Sequence, residues 1–325
     1  MKVNNEAPQL DKSETIAEIP LACCDEKAAV EFLEKRLWKG APVCPHCQST
    51  SVYMMKDSKT GERNKRFLWR CNDCKQQFTV RLGTVFEESR IPLRHWCYAF
   101  WRASTSKKGV SALEIKRQCQ ISYKSALFLM HRIRFAMEQN PTSGGKMTGT
   151  VEVDETYIGG KASNMHRSKV EASGIGTGGL GKECVLGIVQ RDGGIRRQVI
   201  ADVSAATLKS AIREVVDNKA RVITDEHRSY WGLGREFGGG HRVVRHSVGE
   251  YVDGDAYTNT AESSFALIKR GLMGVYHAVS KKHLSRYLSE FDFRWNTRKM
   301  NDGQRTDAAI RSAIGKRLDY ARLIA

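Results

Sequence analysis

Two C-x-x-C pairs, Cys44-Pro45-His46-Cys47 and Cys71-Asn72-Asp73-Cys74, constrain the start of the chain more than any other feature, with 23 residues between them. Four thiols at that spacing suit two tight knuckles sharing one tetrahedral Zn²⁺, the arrangement of a zinc ribbon. A pair of redox C-x-x-C motifs would need a βαβ context, and none surrounds them. The intervening KTGERNKRFLWR is basic and strand-capable, as a ribbon hairpin should be. Because Cys44, Cys47, Cys71 and Cys74 fill the shell, His46 reads as a knuckle residue. Cys23, Cys24, Cys97, Cys119 and Cys184 have no ligand spacing and read as small apolar residues.

Charge narrows the partner. The chain carries 53 Lys and Arg against 36 Asp and Glu, a net charge of +17, which favours a polyanion. No apolar run approaches ~18 residues, so no transmembrane helix is expected. The first residues are polar and lack the apolar stretch of a signal peptide, and a cytoplasmic, nucleoid-associated protein with no membrane partner follows.

The pattern divides the 325 residues into modules. Residues 1–21 read as a flexible tail. Residues 22–88 read as a helix capped by Asp25 followed by the ribbon, and 89–140 as a helical region. In that region Ser111 and Glu114 form the S-x-x-E of a capping box, CQIS breaks the pattern, and Ser122 opens another helix. Two helices across so short a turn match a helix-turn-helix reader of double-stranded DNA. Lys124 stands where base-edge contacts are expected, with His131, Arg132 and Arg134 farther along. Residues 90–140 carry ten Lys and Arg against two Glu, which a plain helical packing unit with a solvated basic face would also show.

From residue 150 onward short strands are predicted at 151–158, 184–190, 195–202, 221–224 and 241–246, with a helix at 204–216 and helical pattern from about 259. The Gly/Ser/Lys-rich stretch 161–182 reads as a loop. The strand VEVDETYIGG contains three acids, although strands usually avoid them. Strand alternation turns Glu152 and Asp154 one way and Val151, Val153 and Glu155 the other. A second strand, RVITD, ends on Asp225, and Glu262 opens the helical NTAESSFALIKRG. Acids on a first strand, a fourth strand and a later helix are arranged as in an RNase H-like α/β domain, assigned here to 150–300, with 301–325 as a C-terminal extension. Three clustered carboxylates repel unless cations neutralise them, and two Mg²⁺ or Mn²⁺ ions about 3.5–4 Å apart would do so.

VEVDETYIGGK, VITDEHRSYWGL and the long segment from His246 to Lys299, together with the preceding C-x-x-C pairs, resemble the Merlin-like group of insertion-sequence DDE transposases over roughly residues 22–300. The resemblance implies that Asp154, Asp225 and Glu262 are the catalytic acids, with 36 residues between the last two. Asn259 is the alternative third ligand, and a carboxylate holds Mg²⁺ better than an amide. Lys269, two helical turns after Glu262, is implied to hold the DNA end beside the metals. The implied activity is binding of terminal inverted repeats, strand cleavage and strand transfer into target DNA by a homo-oligomer. An RNase H-fold nuclease would share the acids but need neither ribbon nor reader. A domesticated DNA-binding regulator would not keep all three acids.

Overall fold

The computed structural model describes residues 14–38, 41–139, 145–160, 168, 181–249 and 252–324. The chain forms two units, residues 1–137 with 297–325, and residues 138–296. No described helix is long and apolar enough to cross a membrane.

The first unit opens with α1 (Glu14–Cys24) and α2 (Glu26–Leu37). Asp25 caps α2 as expected, accepting from the Ala28 N–H at 2.8 Å. Residues 14–21, expected to be tail, are helical instead. Thr15, Ile19 and Ala22 are buried, and Arg36 donates to Thr15 Oγ1 at 3.0 Å. Pro20 inside α1 hid the helix from the sequence reading, since an interior proline removes a helical donor.

The ribbon follows as β1 (Val52–Met54), β2 (Trp69–Cys71) and β3 (Gln77–Phe78), antiparallel throughout. Its two knuckles repeat one geometry. The Cys44 N–H donates to Ser49 O and the Cys71 N–H to Gln76 O, while Gln48 and Lys75, each following the second cysteine of its pair, both have φ of 62°. The four sulfurs lie within 4.8 Å of one another, with Cys44–Cys74 and Cys47–Cys71 at 3.6 Å. Tetrahedral Zn–S bonds of ~2.3 Å would separate sulfurs by about 3.8 Å, so the set fits the ion closely. Burial opposes ionisation of the Cys71 thiol, but the backbone N–H groups of Cys74 and Asp73 together with the Cys47 and Cys74 thiols bring it down to about 7. Glu34 of α2 clamps the ribbon by accepting from Arg63 and from Trp69 Nε1.

Three helices come next, α3 (Leu93–Thr105), α4 (Ala112–Cys119) and α5 (Tyr123–Met137). Ser111 caps α4 by accepting from the Glu114 N–H at 3.1 Å, but only half the capping box forms. The Glu114 carboxylate pairs with Arg102 at 2.8 Å instead of reaching back. Gln120, with φ of 53°, closes α4, and Ser122 caps α5 through the Ser125 N–H.

The second unit is built on β4 (Thr150–Gly159), β5 (Lys182–Gln190), β6 (Ile195–Ile200), α6 (Ala205–Val215), β7 (Arg221–Asp225), β8 (His241–Val244), α7 (Asn259–Gly271) and α8 (Leu284–Asn296). Its sheet runs β6-β5-β4-β7-β8, antiparallel among the first three, with β7 parallel to β4 and β8 parallel to β7. One face, including Val151, Val153, Leu186 and Val222, packs on Leu208 and Ile212 of α6. On the other face Ile158 and Val185 meet Phe265 and Ile268 of α7 and Leu288 of α8. Arg197 of β6 ties these helices down, pairing with Asp292 of α8 and donating to Ser264 O of α7. Of the predicted loop, 161–167 and 169–180 lie outside the described residues, and Lys182 already belongs to β5.

The chain then returns to the first unit as α9 (Asp302–Arg311) and α10 (Tyr320–Ile324). This segment is no extension. Asp307 accepts from Thr15 and Arg36, both at 2.7 Å, and Lys316 donates to Ala136 O at 2.6 Å. It also corrects the reading of α5. Arg132 and Arg134 are only 4% and 1% exposed, and Arg132 donates to the carbonyls of Leu318, Val85 and Glu87. Arg132 is held in part by the returning chain and Arg134 is buried too, so neither guanidinium is presented to DNA. Lys124 stays exposed, its Nζ 4.8 Å from the Tyr320 ring centre.

The sulfur geometry predicts one Zn²⁺ per chain by elemental analysis, lost in a Cys71→Ser/Cys74→Ser variant. Chelation should then unfold the ribbon, because metal binding at such a site is itself folding free energy. Zinc retained in the double variant would contradict the assignment.

Candidate active site

Pairing of β4 with β7 sets the site. Thr150, Val151 and Glu152 stand opposite Arg221, Val222 and Ile223, so the same parallel register brings Asp154 level with Asp225. Both strands are buried just before these acids, at residues 151–153 and 222–224, whereas Asp154 and Asp225 are half-buried. Each has one intramolecular backbone donor, the Glu155 N–H to Asp154 at 2.8 Å and the His227 N–H to Asp225 at 3.0 Å.

Helix α7 brings the third acid. Asp154 pairs across β5 with Gly187, where a Cβ would stand 2.6 Å from the Phe265 ring. A side chain there would push α7 off the sheet. Glu262, in the first turn of α7, is exposed and lies 3.6 Å from His246 Nε2. Thr258 Oγ1 stands between them, 3.2 Å from His246 Nε2 and 3.5 Å from Glu262 Oε1.

The acids act on one another through space. Burial pushes the Asp154 carboxyl up to about 6, repulsion from Asp225 and Glu262 adds to it, and the Glu155 N–H and His246 oppose it. Glu155 is pushed up to about 7, first by burial and then by Asp225 and Asp154, with the Tyr230 hydroxyl opposing. The Tyr230 ring is fully buried beside it, and its own hydroxyl is pushed up by burial and by Glu155. Among the described residues, only the four cysteines form a metal-ligating cluster with every donor atom within 4.8 Å. The three acids are thus wider apart than that set. Hard oxygen donors from three elements, with Asp154 raised by burial and further by its neighbours, nevertheless suit a divalent cation, which would draw them inward.

Asn259 and Lys269 are exposed on α7, Lys269 seven residues beyond Glu262 and so on the same helical face. His227 faces outward and caps a short 3₁₀ turn, while Arg294 is buried and paired with Glu290 rather than free for DNA. From the sequence His246 reads as a phosphate contact or a structural histidine, and its approach to Glu262 is not foreseen. It leaves the neighbouring strand β8, and no local motif announces its approach to Glu262.

Residues 146–296 match the ISXO2-like transposase domain, and residues 24–77 match the transposase zinc-ribbon domain. A protein of Halobacterium salinarum, described as an uncharacterized protein in transposable element ISH50, is 30% identical over 280 residues, 83% of this chain and 90% of its own length. The chain belongs to the ISXO2-like transposases. In this transposase the first match takes in nearly all of the second unit, with Asp154, Asp225 and Glu262 inside it. The zinc-ribbon match covers α2 and the four cysteines, whereas α3–α5, α9 and α10 lie outside both matches.

The raised Asp154 carboxyl predicts a pH signature. Between its ordinary 3.8 and about 6, the folded transposase keeps a proton that the unfolded chain has released, so stability falls as pH rises through that window. Without added divalent cation, Asp154→Asn should therefore melt increasingly above the parent from pH 4 to 6 and hold that lead beyond. The full shift corresponds to about 3 kcal/mol at most. A difference in melting temperature that is flat with pH would contradict it.

Proposed function

We propose that this transposase cuts and joins DNA with Asp154, Asp225 and Glu262 as ligands of two divalent cations, Mg²⁺ or Mn²⁺, in an RNase H-like domain. The observation that carries the reading is the parallel pairing of β4 with β7, which sets Asp154 level with Asp225, while Glu262 of α7 acts on Asp154 through space. The sheet order β6-β5-β4-β7-β8, with helices on both faces, supports the fold. When bound, such ions neutralise the acids, lower the pKa of an attacking water or 3′-hydroxyl and stabilise the leaving oxygen.

The chain's own part is positioning. Asp154 and Asp225 are fixed by strand pairing, and Glu262 by the docking of α7. Glu262 is favoured over Asn259 as third ligand, since it lies in the field of Asp154 and carries the better donor for Mg²⁺. Lys269 would hold the DNA end on the same helix face. In the first unit, α4 and α5 serve as a helix-turn-helix reader of the terminal inverted repeats, with Lys124 at the exposed start of α5 and Lys116 and Arg117 exposed on α4. Two ends and a target imply more than one copy on the DNA.

Asp154→Ala, Asp225→Ala and Glu262→Ala should each abolish Mg²⁺-dependent strand cleavage while preserving binding to the ends, as measured by gel shift and nicking of an end duplex. Asn259→Ala should still cleave. Loss of cleavage in Asn259→Ala but not in Glu262→Ala would transfer the third position to the amide. Lys269→Ala should be partly rescued by more DNA, and a variant as inactive as Asp154→Ala at saturating DNA would refute its role.

End binding should weaken roughly 10³–10⁵-fold between about 50 and 200 mM salt if six to ten phosphates are contacted. A flat salt response would mean that the +17 charge is merely solvated.

A further inference from the structure

The third acid of the VEVDE segment remains to be explained. Glu152 is 0% exposed, on the same strand face as Asp154 and two residues before it. Its Oε2 accepts from the N–H groups of Thr260 at 2.9 Å and Ala261 at 3.1 Å. Its Oε1 accepts from Thr260 Oγ1 at 2.9 Å and from Arg191 Nε at 2.7 Å. Two bonds to each oxygen fill the acceptor capacity of a carboxylate, so Glu152 has nothing left for a cation.

Those bonds meet the first turn of α7, where backbone N–H groups have no helical partner. Such groups are usually satisfied by the N-cap side chain, yet Thr258 makes no cap bond here. Its hydroxyl is given over to His246 and Glu262. The cap comes from strand β4 instead, and its negative charge suits the positive end of the helix. Arg191 extends the hold to the segment that leads into α7. It donates to Asp255 O at 2.7 Å and Tyr257 O at 3.0 Å, and its guanidinium lies 3.6 Å from the Tyr257 ring centre.

We propose that Glu152, held by Arg191, is a positioning residue: it anchors the start of α7 to β4 and thereby sets the separation of Glu262 from Asp154. This rests on the reading of Asp154, Asp225 and Glu262 as cation ligands. The strand fixes Asp154 two residues beyond the anchor, and the helix fixes Glu262 one residue beyond Ala261. An apolar residue at 152 could fill the same space, but it could not dictate the register or rotation of the helix start.

The test is calorimetric titration of the zinc-loaded full-length protein with Mn²⁺, comparing the parent, Asp154→Ala, Glu152→Gln and Arg191→Lys. Melting curves and zinc content identify the folded fraction. Glu152→Gln keeps the shape but turns one acceptor into a donor facing either the helix start or Arg191. Per folded molecule, its Mn²⁺ affinity should fall about 10–100-fold, the range seen when groups supporting metal ligands are lost. Salt-dependent binding to DNA ends should persist.

Parent-like Mn²⁺ affinity in Glu152→Gln, even with a lowered melting temperature, would reduce Glu152 to a structural acid and overturn the proposal. If Glu152→Gln does not fold, Arg191→Lys decides. It keeps the charge but loses the forked contacts, and its Mn²⁺ affinity should fall several-fold, whereas unchanged affinity overturns the proposal. Parent protein that binds Mn²⁺ no better than Asp154→Ala would overturn the metal reading itself and the proposal with it.

Discussion

Asp154 and Asp225 stand level where two paired strands leave a core, and Asp154 feels the charge of both Asp225 and Glu262. Burial is the largest cause of moving the Asp154 carboxyl from 3.8 to about 6, repulsion from Asp225 and Glu262 adds to it, and the whole shift corresponds to about 3 kcal/mol at most. Parallel pairing of β4 with β7 forces Asp154 and Asp225 to one level. The missing side chain at Gly187 lets α7 settle against the sheet beside them. Arg197 fastens both covering helices from β6. Each feature maintains a juxtaposition that the charges alone would undo.

Donor supply separates the acids of this chain into two kinds. Glu152 takes four hydrogen bonds, and Glu34 takes Arg63 and Trp69. Glu26 accepts from the Leu93 and Arg94 N–H groups at 2.8 and 3.1 Å, fixing the start of α3 much as Glu152 fixes α7. A buried carboxylate so supplied costs little beyond its desolvation and directs the element it touches. Asp154 and Asp225 instead have, among the described residues, one backbone donor each and are half-buried. Acids set level on paired strands and short of protein donors fit a site completed by something from solution.

Much of this was legible in the chain itself. The four cysteines announced the ribbon through spacing alone. Asp154, Asp225 and Glu262 stood out because acids interrupted apolar strand patterns or opened a helix. What escaped reading was long-range. Arg132 looked like the outer face of α5 because Leu318, whose carbonyl it meets, returns from the far end of the chain, and Arg134 is buried as well. The same return made α9 and α10 look like an extension. Proline hid α1. Glu152 and Glu155 were placed on the correct faces by alternation, yet Thr260 and Ala261, which Glu152 caps, lie more than a hundred residues away. His246 reaches Glu262 only because β8 pairs with β7.

The central claim is that three acids from separate elements form one cation site. Anomalous diffraction at the manganese edge, from crystals of the full-length protein soaked in Mn²⁺, addresses it most directly. The account predicts peaks bridging the carboxylates of Asp154, Asp225 and Glu262. Well-ordered carboxylates with no peak between them, or peaks only elsewhere on the chain, would contradict it.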